Sequence, residues 1–180
     1  MSSPRTEVIP RTGRGTEAHT DAGNTQPLEW QAAVAKFEEG GWFWLATVRP
    51  NGRPHAMPCF AAWSGSSFFV ASKGSARKSR NLDANGSCVL TKDVGDIHII
   101  VEGLASRVTD EATLRRAAEA MMRIYEWPTR PVGDELDDYG APTSGGPPYR
   151  IYEIRPTRGF GLPTDGETFA PTRWRFPTAE

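Results

Sequence analysis

Short apolar runs separated by turn-forming residues dominate the hydrophobic pattern of this chain. Runs of this kind, bounded by Gly, Pro, Asn or Ser, are typical of β-strands. Asn51-Gly52 is a strong hairpin dipeptide, so the two strands that flank it should be antiparallel neighbours. Pro58 and Gly103 interrupt two of the runs, and each indicates an edge, a bulge or a bend. The predicted strands are 42–48, 55–63, 68–72, 87–91, 97–108, 149–156, 158–162 and 172–176.

Three segments are predicted to be helices instead. The first begins near Thr25, a plausible N-cap with Pro27 in the first turn, and ends at Gly40-Gly41. The second follows Ser75 and ends near residues 85–86, and the third runs from an Asp110 N-cap to residue 127. The first and third have apolar residues at helical spacing, which favours packing against a core. These residues are Trp30, Ala33, Val34 and Phe37, then Leu114, Ala117, Ala118, Met121, Met122 and Tyr125.

The order of these elements predicts the fold class. Strands follow one another mostly in hairpin order, and the first three should form a meander, so we expect a mainly β, antiparallel barrel with peripheral helices. Residues 1–24 have almost no bulky apolar side chain and are expected to be a disordered tail, with the domain spanning 25–180. Residues 128–148 are rich in Gly, Pro and Asp, which fits either a substrate lid or disorder.

The window from 70 to 82 carries the clearest functional pattern. An apolar strand leads through a small-residue turn into a helix, and Ser75 is the expected N-cap. Helix N-termini favour anions, whereas cations there oppose the helix dipole. A phosphate would resolve that conflict, although a solvated basic face is the equally weighted alternative. The cations of this window are Lys73, Arg77, Lys78 and Arg80.

Composition narrows the classes of function. The 180 residues suit one domain, and a net charge of −1 gives no general electrostatic case for nucleic acid. Cys59 and Cys88 lie in apolar runs and should be buried free thiols, as in a reducing cytoplasm. The three histidines have no metal-ligand spacing with them, so we expect no metal site. No apolar run could cross a bilayer, and the first residues lack a secretory signal.

The ordered set of motifs resembles the pyridoxamine 5′-phosphate oxidase-like split β-barrel superfamily. The motifs are 44–48, 50–55, 68–70, 75–82 and 101–105, and the ending at 172–176 is similar to the flavin/deazaflavin oxidoreductase B branch, which uses coenzyme F420. The resemblance covers roughly residues 27–176. It implies a homodimer of split barrels with a flavin or deazaflavin ring in each groove between subunits.

Site residues follow from this resemblance by position. The strand around Ala56, Met57 and Pro58 would lie along the ring, and Trp174 would lie near the ring, with ordinary barrel core as its alternative. The residues implied to contact the cofactor phosphate are Ser72, Lys73, Arg77, Lys78 and Asn81. Pyridoxamine phosphate oxidases end in a substrate-binding Arg-x-His motif. In this chain the corresponding residues, 173–175, are Arg-Trp-Arg and include no histidine, which disfavours pyridoxamine 5′-phosphate as the substrate.

The leading hypothesis is an F420-dependent oxidoreductase that transfers hydride between the deazaflavin and a small conjugated substrate such as an enone, quinone or tetrapyrrole. A phosphate with a polyglutamate tail suits the basic window, extended by Arg49 and Arg53. His55 and Tyr139 are weak candidates for the proton donor. The first alternative is an FMN-dependent oxidase or reductase on the same barrel. The second is a non-catalytic cofactor or haem carrier, with His55 or His98 as the axial ligand.

Overall fold

The computed structural model describes residues 3–10, 26–137, 146–165 and 167–177. Within these ranges the helices are α1 (Trp30–Glu38), α2 (Arg77–Ala84) and α3 (Glu111–Tyr125). The strands are β1 (Arg5–Val8), β2 (Phe43–Val48), β3 (Pro54–Cys59), β4 (Ala61–Ser64), β5 (Ser67–Ser72), β6 (Ser87–Val94), β7 (Ile97–Val108), β8 (Arg130–Val132), β9 (Glu135–Asp137), β10 (Arg150–Pro163) and β11 (Thr172–Arg175). None of these helices is long and apolar enough to cross a membrane.

The strands form one large antiparallel sheet that branches at β10. Its main order is β1-β11-β10-β7-β6-β2-β3, and β8 with β9 form a separate hairpin. One edge of β10 pairs with β7 along its length, whereas the other edge pairs first with β5 and then with β11. This branching confirms the predicted fold class, a mainly β, antiparallel split barrel with peripheral helices. The cofactor-site strand predicted from the resemblance, β3, is the last strand of the sheet.

Two apolar cores lie on either side of β5. Phe68 and Phe69 are adjacent and both fully buried, because alternate residues of a strand point to opposite faces. Phe68 belongs to the larger core under α1, and Phe69 to the core under α3. The predicted apolar faces of both helices are confirmed except at Met122, which is half exposed. Residues of β5 are thus held on both sides before the chain enters the basic window.

The predicted strand 55–63 is two strands in the structure. β3 pairs only with β2, and β4 pairs with β5, so the expected three-strand meander is wrong. Pro58 lies within β3, where its missing N–H fits an edge. The chain therefore leaves one part of the sheet at Phe60 and joins another. This change of partner keeps one side of β3 unpaired by the described strands.

The predicted strands 149–156 and 158–162 are instead one strand, β10, with an irregularity between Pro156 and Arg158. Gly103 on β7 lies opposite Pro156. A Cβ on Gly103 would lie 2.8 Å from the carbonyl oxygen of Arg155. Gly103 thus allows β7 and β10 to approach closely. The bulge predicted at Gly103 lies instead on the neighbouring strand β10.

The N-terminal prediction needs a correction. Arg5–Val8 form β1, which pairs with β11, so this part of the expected tail is ordered. The pairing was missed because the segment is short and polar and its partner lies at the other end of the chain. Helix α1 has Glu29 at its N-cap position, and Pro27 instead bridges to Ala170. Thr25 and the rest of the predicted tail after residue 10 lie outside the described residues.

The stretch 128–148 contains regular structure where a loop was expected. It carries the β8–β9 hairpin, whose Leu136 is fully buried and exchanges two backbone hydrogen bonds with Tyr149. Its remaining residues 138–145 lie outside the described residues, and Tyr139 is among them. The described part is therefore packed on the domain.

Candidate functional site

The turn between β5 and α2 presents an uncapped helix N-terminus. Ala76 is the N-cap residue, no side chain caps it, and the first turn contains no acidic residue. Ser75 is exposed and is not the cap, so that prediction is wrong by one position. First-turn N–H groups that lack a cap remain able to bind an anion.

Hydroxyl groups and one carboxylate hold this turn and helix α2 in place. Ser79 Oγ donates to the Lys73 carbonyl at 2.7 Å and lies 2.8 Å from Ser72 Oγ. At the other end of α2, Tyr152 donates to Asp83 at 2.8 Å. Burial raises the pKa of this tyrosine, so the hydroxyl remains a donor at neutral pH. The helix is thereby fixed to β5 and β10.

Ser72 and Asn81 are positioned differently from the expectation. They are 1% and 0% exposed, so they support the site from behind and are not open to a ligand. Asn81 Nδ2 donates to Thr47 Oγ1 at 2.9 Å, and that hydroxyl lies 3.4 Å from His55 Nδ1. Asn81 Oδ1 has no hydrogen-bond partner among the described residues. The three side chains form a polar line from α2 through β2 to the edge strand β3.

Cations converge on His55 from two elements. Its pKa is lowered, first by burial and then by the charges of Arg49, Arg77 and Lys78. None of these three cations forms an ion pair with a described acidic residue. Arg49 Nε is buried without a hydrogen-bond partner in the described chain. The cluster of Arg49, His55, Arg77 and Lys78, called here the β3 cluster, fits an anion.

The edge strand beside this cluster is open. Ala56 and Met57 are exposed and Pro58 is half-buried. Lys78 Nζ donates to the Pro58 carbonyl at 3.4 Å, which joins α2 to β3. Lys73 is half-buried in the turn, and Arg80 is exposed on α2. The structure thus brings the predicted strand together with Arg77 and Lys78, whereas no contact among the described residues joins Lys73 or Arg80 to it.

Trp174 lies elsewhere. It is fully buried, donates from Nε1 to the Leu28 carbonyl at 2.9 Å, and packs against Trp30 with ring centroids 5.1 Å apart. The placement of Trp174 near a cofactor ring stays a prediction, and its burial within the single chain favours the core alternative. The alternation of β11, with its outer arginines, favoured this outcome.

His98 and the two cysteines are not members of the β3 cluster. His98 is exposed and lies 2.7 Å from Asp93, which favours a surface ion pair over a haem ligand. Cys59 and Cys88 are buried free thiols, as predicted, and burial raises the pKa of each to about 12. Among the described residues no group of three or more His, Cys, Asp or Glu could hold a metal ion.

A cleft of about 550 Å³ lies away from the β3 cluster, between α1, the β4–β5 turn and α3. Both of its arginines are neutralised by carboxylates. Arg123 contacts Glu38 at 2.9 Å, and Arg116 contacts Glu153 at 3.3 Å. We therefore place the candidate site at the open β3 cluster, where the cations are unpaired.

Sequence reasoning missed Thr47, Asp83 and Tyr152, which position the cluster. Thr47 had a detectable signal, since it is a polar residue at an inward position of an apolar strand. Asp83 and Tyr152 are far apart in sequence and had none. Arg49 was found as part of a nearby turn. The structure adds that its charge helps to lower the pKa of His55.

Comparison with two solved structures supports the fold, and a third is similar to a lesser extent. A pyridoxamine 5′-phosphate oxidase-related, FMN binding protein from Nostoc punctiforme is 17% identical, with a TM-score of 0.55 over 84% of this chain and 91% of that chain. The General Stress Protein 26 from Bacillus anthracis is 18% identical, with a TM-score of 0.56 over 83% of this chain and 100% of that chain. An F420 reductase is 24% identical, with a TM-score of 0.46 over 66% and 87% of the two chains.

Sequence comparison identifies the family. No curated protein matches the chain. The family model described as pyridoxamine 5′-phosphate oxidase matches residues 30–162, which is well over half of the sequence and includes both β3 and α2. The chain therefore belongs to the pyridoxamine 5′-phosphate oxidase family of flavin-binding split-barrel oxidoreductases.

Proposed function

We propose that this protein is an oxidoreductase that binds coenzyme F420 at the β3 cluster and acts on a small conjugated molecule such as an enone, quinone or tetrapyrrole. The observation that carries the proposal is the convergence of Arg49, Arg77 and Lys78, unpaired by described acids, beside an uncapped helix N-terminus. A phosphate satisfies such a set of donors. Arg53 and Arg80 are further exposed cations, on the β2–β3 turn and on α2, that would be available to a longer anionic tail.

The residues present fit such a cofactor. Arg49 Nε is an orphaned buried donor, and an anionic oxygen is the partner that it lacks. Arg77 and Lys78 would hold the phosphate, and the open edge of β3 at Ala56–Pro58 would lie along the ring system. When bound, the cofactor supplies hydride transfer, and the chain supplies position, charge and shelter from water.

His55 is the titratable side chain of the cluster that can move a proton. Burial and its cationic neighbours lower its pKa, so it is neutral at pH 7. A bound phosphate would offset those cations and raise that pKa. His55 is therefore our proposed proton donor, held at the edge of β3 beside the Thr47 hydroxyl.

FMN is the second candidate cofactor, because the family match favours flavin as the bound ring. Its single phosphate needs fewer cations than a phosphate with a carboxylate tail. An equilibrium titration of the purified protein with F420 and with FMN, followed by cofactor fluorescence, tests both. Tight F420 binding with weak FMN binding is the expected result. The reverse order would make the protein a flavoenzyme, and binding of neither would overturn the anion site.

We further propose a homodimer, since the outer face of the sheet exposes two large apolar side chains. Trp44 on β2 and Leu104 on β7 are 56% and 57% exposed and share this face. Light scattering of the parent should give a dimer, and Trp44→Glu with Leu104→Glu should give a monomer. A control pair on other surfaces, Met122→Glu with Val132→Glu, has similar exposure and should leave the dimer intact. A parent protein that is monomeric and still binds cofactor would contradict the proposal.

A further inference from the structure

The end of the sheet farthest from β3 carries a row of arginines. In the strand register, Arg5 on β1 lies directly opposite Arg175 on β11, and Arg175 lies directly opposite Arg158 on β10. Directly opposed residues in antiparallel strands share a face, with Cα atoms about 4.5–5.5 Å apart. Three guanidinium groups therefore rise from a line that is about 10 Å long.

A further arginine and a shared carboxylate adjoin this row. Arg173 lies two residues before Arg175 on the same face of β11, and its guanidinium lies 5.8 Å from the centre of the Phe160 ring. Glu7 on β1 contacts Arg175 at 3.1 Å, Arg5 at 3.3 Å and Arg173 at 3.8 Å. One carboxylate thus serves three guanidinium groups.

The strip of Arg5, Arg158, Arg173 and Arg175, called here the arginine strip, keeps an excess of positive charge. Arg158 has its own partner, Glu102, at 3.6 Å, so within the described part of the chain four cations face two carboxylates. The arginine side chains are 33% to 80% exposed. Opposed like charges on neighbouring strands are unfavourable, and guanidinium groups bind phosphate and carboxylate in a bidentate manner. An added anion would relieve this repulsion.

We propose that the arginine strip is a second anion site, which binds a small polyanion with two or more phosphate or carboxylate groups. Glu7 occupies the place of one such group and keeps the arginines ordered. The site is separate from the β3 cluster, because β10, β7, β6 and β2 stand between β11 and β3 in the sheet.

A second copy of this chain is the alternative occupant, and the acids of the β8–β9 hairpin are not readily available to it. The described acidic residues of the β8–β9 hairpin already have partners within the chain. Asp134 contacts Arg107 at 2.7 Å, Asp137 contacts Arg130 at 3.5 Å, and Glu135 contacts Arg150 at 3.5 Å. These acids would have to break internal ion pairs before they could neutralise the strip of another subunit.

Thermal unfolding with sodium tripolyphosphate tests the site, with sodium chloride matching the ionic strength. At about 100 times the dissociation constant, we expect Tm to rise by about 5 °C. Because the β3 cluster is also proposed to bind phosphate, the rise is measured in proteins that carry Arg77→Glu with Lys78→Glu, and adding Arg158→Gln with Arg175→Gln to them should abolish it. The control pair Arg115→Gln with Arg130→Gln removes two exposed, ion-paired arginines elsewhere and should keep it. An equal rise in the strip variant would overturn the proposal.

Two further variants test the role of Glu7 and the independence of the two anion sites. Glu7→Gln removes the internal carboxylate, so calorimetry should show severalfold tighter tripolyphosphate binding, and weaker or unchanged binding would contradict the role of Glu7. Arg77→Glu with Lys78→Glu alone should keep the response that the strip supplies, which distinguishes the strip from the proposed cofactor site. A parent without any response, whose strip variant changes its molar mass in light scattering, would make the strip a subunit contact and overturn the proposal.

Discussion

The two ends of the sheet both gather cations, but only one end supplies its own anions. At the β1 end, Glu7 contacts three arginines of the strip. At the β3 end, Arg77 and Lys78 form no ion pair with any described residue, and helix α2 has no cap. The four cations of residues 70–82 therefore indicated an anion site only once the structure showed which of them have acidic partners. Missing partners, more than the number of charges, identify the site that needs a ligand.

The ends also differ in what supports them. Behind the arginine strip, Trp174 is fully buried, and a Cβ on Gly161 would lie 2.7 Å from its ring. At the β3 end, Trp44 on the neighbouring strand is 56% exposed. One end is the surface of a packed core, and the other is an open edge that lacks cover in the described chain. We expect mutations to affect stability at the first and binding at the second.

Replacing each tryptophan by alanine gives the largest expected contrast. Trp174→Ala removes a buried side chain and should lower the free energy of unfolding by about 3–5 kcal/mol. Trp44→Ala removes a side chain that is exposed on the single subunit. At a protein concentration low enough to dissociate the proposed dimer, it should change the free energy of unfolding by less than about 1 kcal/mol. Urea unfolding at that concentration measures both variants. Similar losses would show that Trp44 is packed within the subunit and would contradict the comparison.

The next largest effect concerns the β3 end alone. Arg77→Glu with Lys78→Glu reverses two cations and should weaken F420 binding by more than about 100-fold, or about 2.7 kcal/mol. Arg158→Gln with Arg175→Gln should change it by less than about threefold, since additivity holds for distant sites. Cofactor fluorescence measures both, and circular dichroism checks the fold. A double reversal that binds F420 and FMN as the parent does would remove this assignment.

Much of this comparison was predictable from sequence at the level of elements. Long periodic segments such as β7 and α3 were found close to their bounds, and Asp110 caps α3 by accepting from the Thr113 amide at 2.8 Å. The basic window was found because its cations are contiguous in sequence. Local patterns of this kind report local structure directly.

Long-range pairing was not predictable in the same way. β1 is formed by four largely polar residues whose pairing with β11 joins opposite ends of the chain. The division of 55–63 into β3 and β4 depends on which neighbour each half meets. Trp174 had two open alternatives because burial of a strand face is decided by the whole sheet. At the site, position is set by contacts such as Asn81 with Thr47, which span elements.

A smaller effect on stability is expected from the buried hydrogen bond that positions α2 at the β3 end. Thr47→Val should leave Asn81 Nδ2 without its acceptor and lower the free energy of unfolding by about 1–2 kcal/mol. Thr91→Val changes a half-buried threonine on the outer face of the sheet and should change it little. Urea unfolding compares the pair. If both variants lost the same free energy, the buried polar line would not be what supports α2.

The smallest effect is a pH dependence that differs between the two ends. The pKa of His55 is lowered from 6.5 by burial and by Arg49, Arg77 and Lys78, so the folded protein binds fewer protons than the unfolded chain just below that pH. Stability should therefore fall as the pH drops from 6.5 through the folded pKa of His55. The pKa of Glu7 is lowered from 4.5, chiefly by its hydrogen bond with Arg175, so its contribution should be lost only at more acidic pH.

NMR titration of the His55 ring protons resolves the first of these windows. The midpoint should lie below 6.5 in the parent, and it should rise in Arg77→Glu with Lys78→Glu because two of the opposing charges have been reversed. Inorganic phosphate should raise it in the parent for the same reason, whereas Glu7→Gln should leave it unchanged. A midpoint that is unchanged by phosphate and by the double reversal would show that burial alone sets the pKa of His55. His55 would then report nothing about an anion, and the unpaired cations of the β3 end would have to be explained as solvated surface.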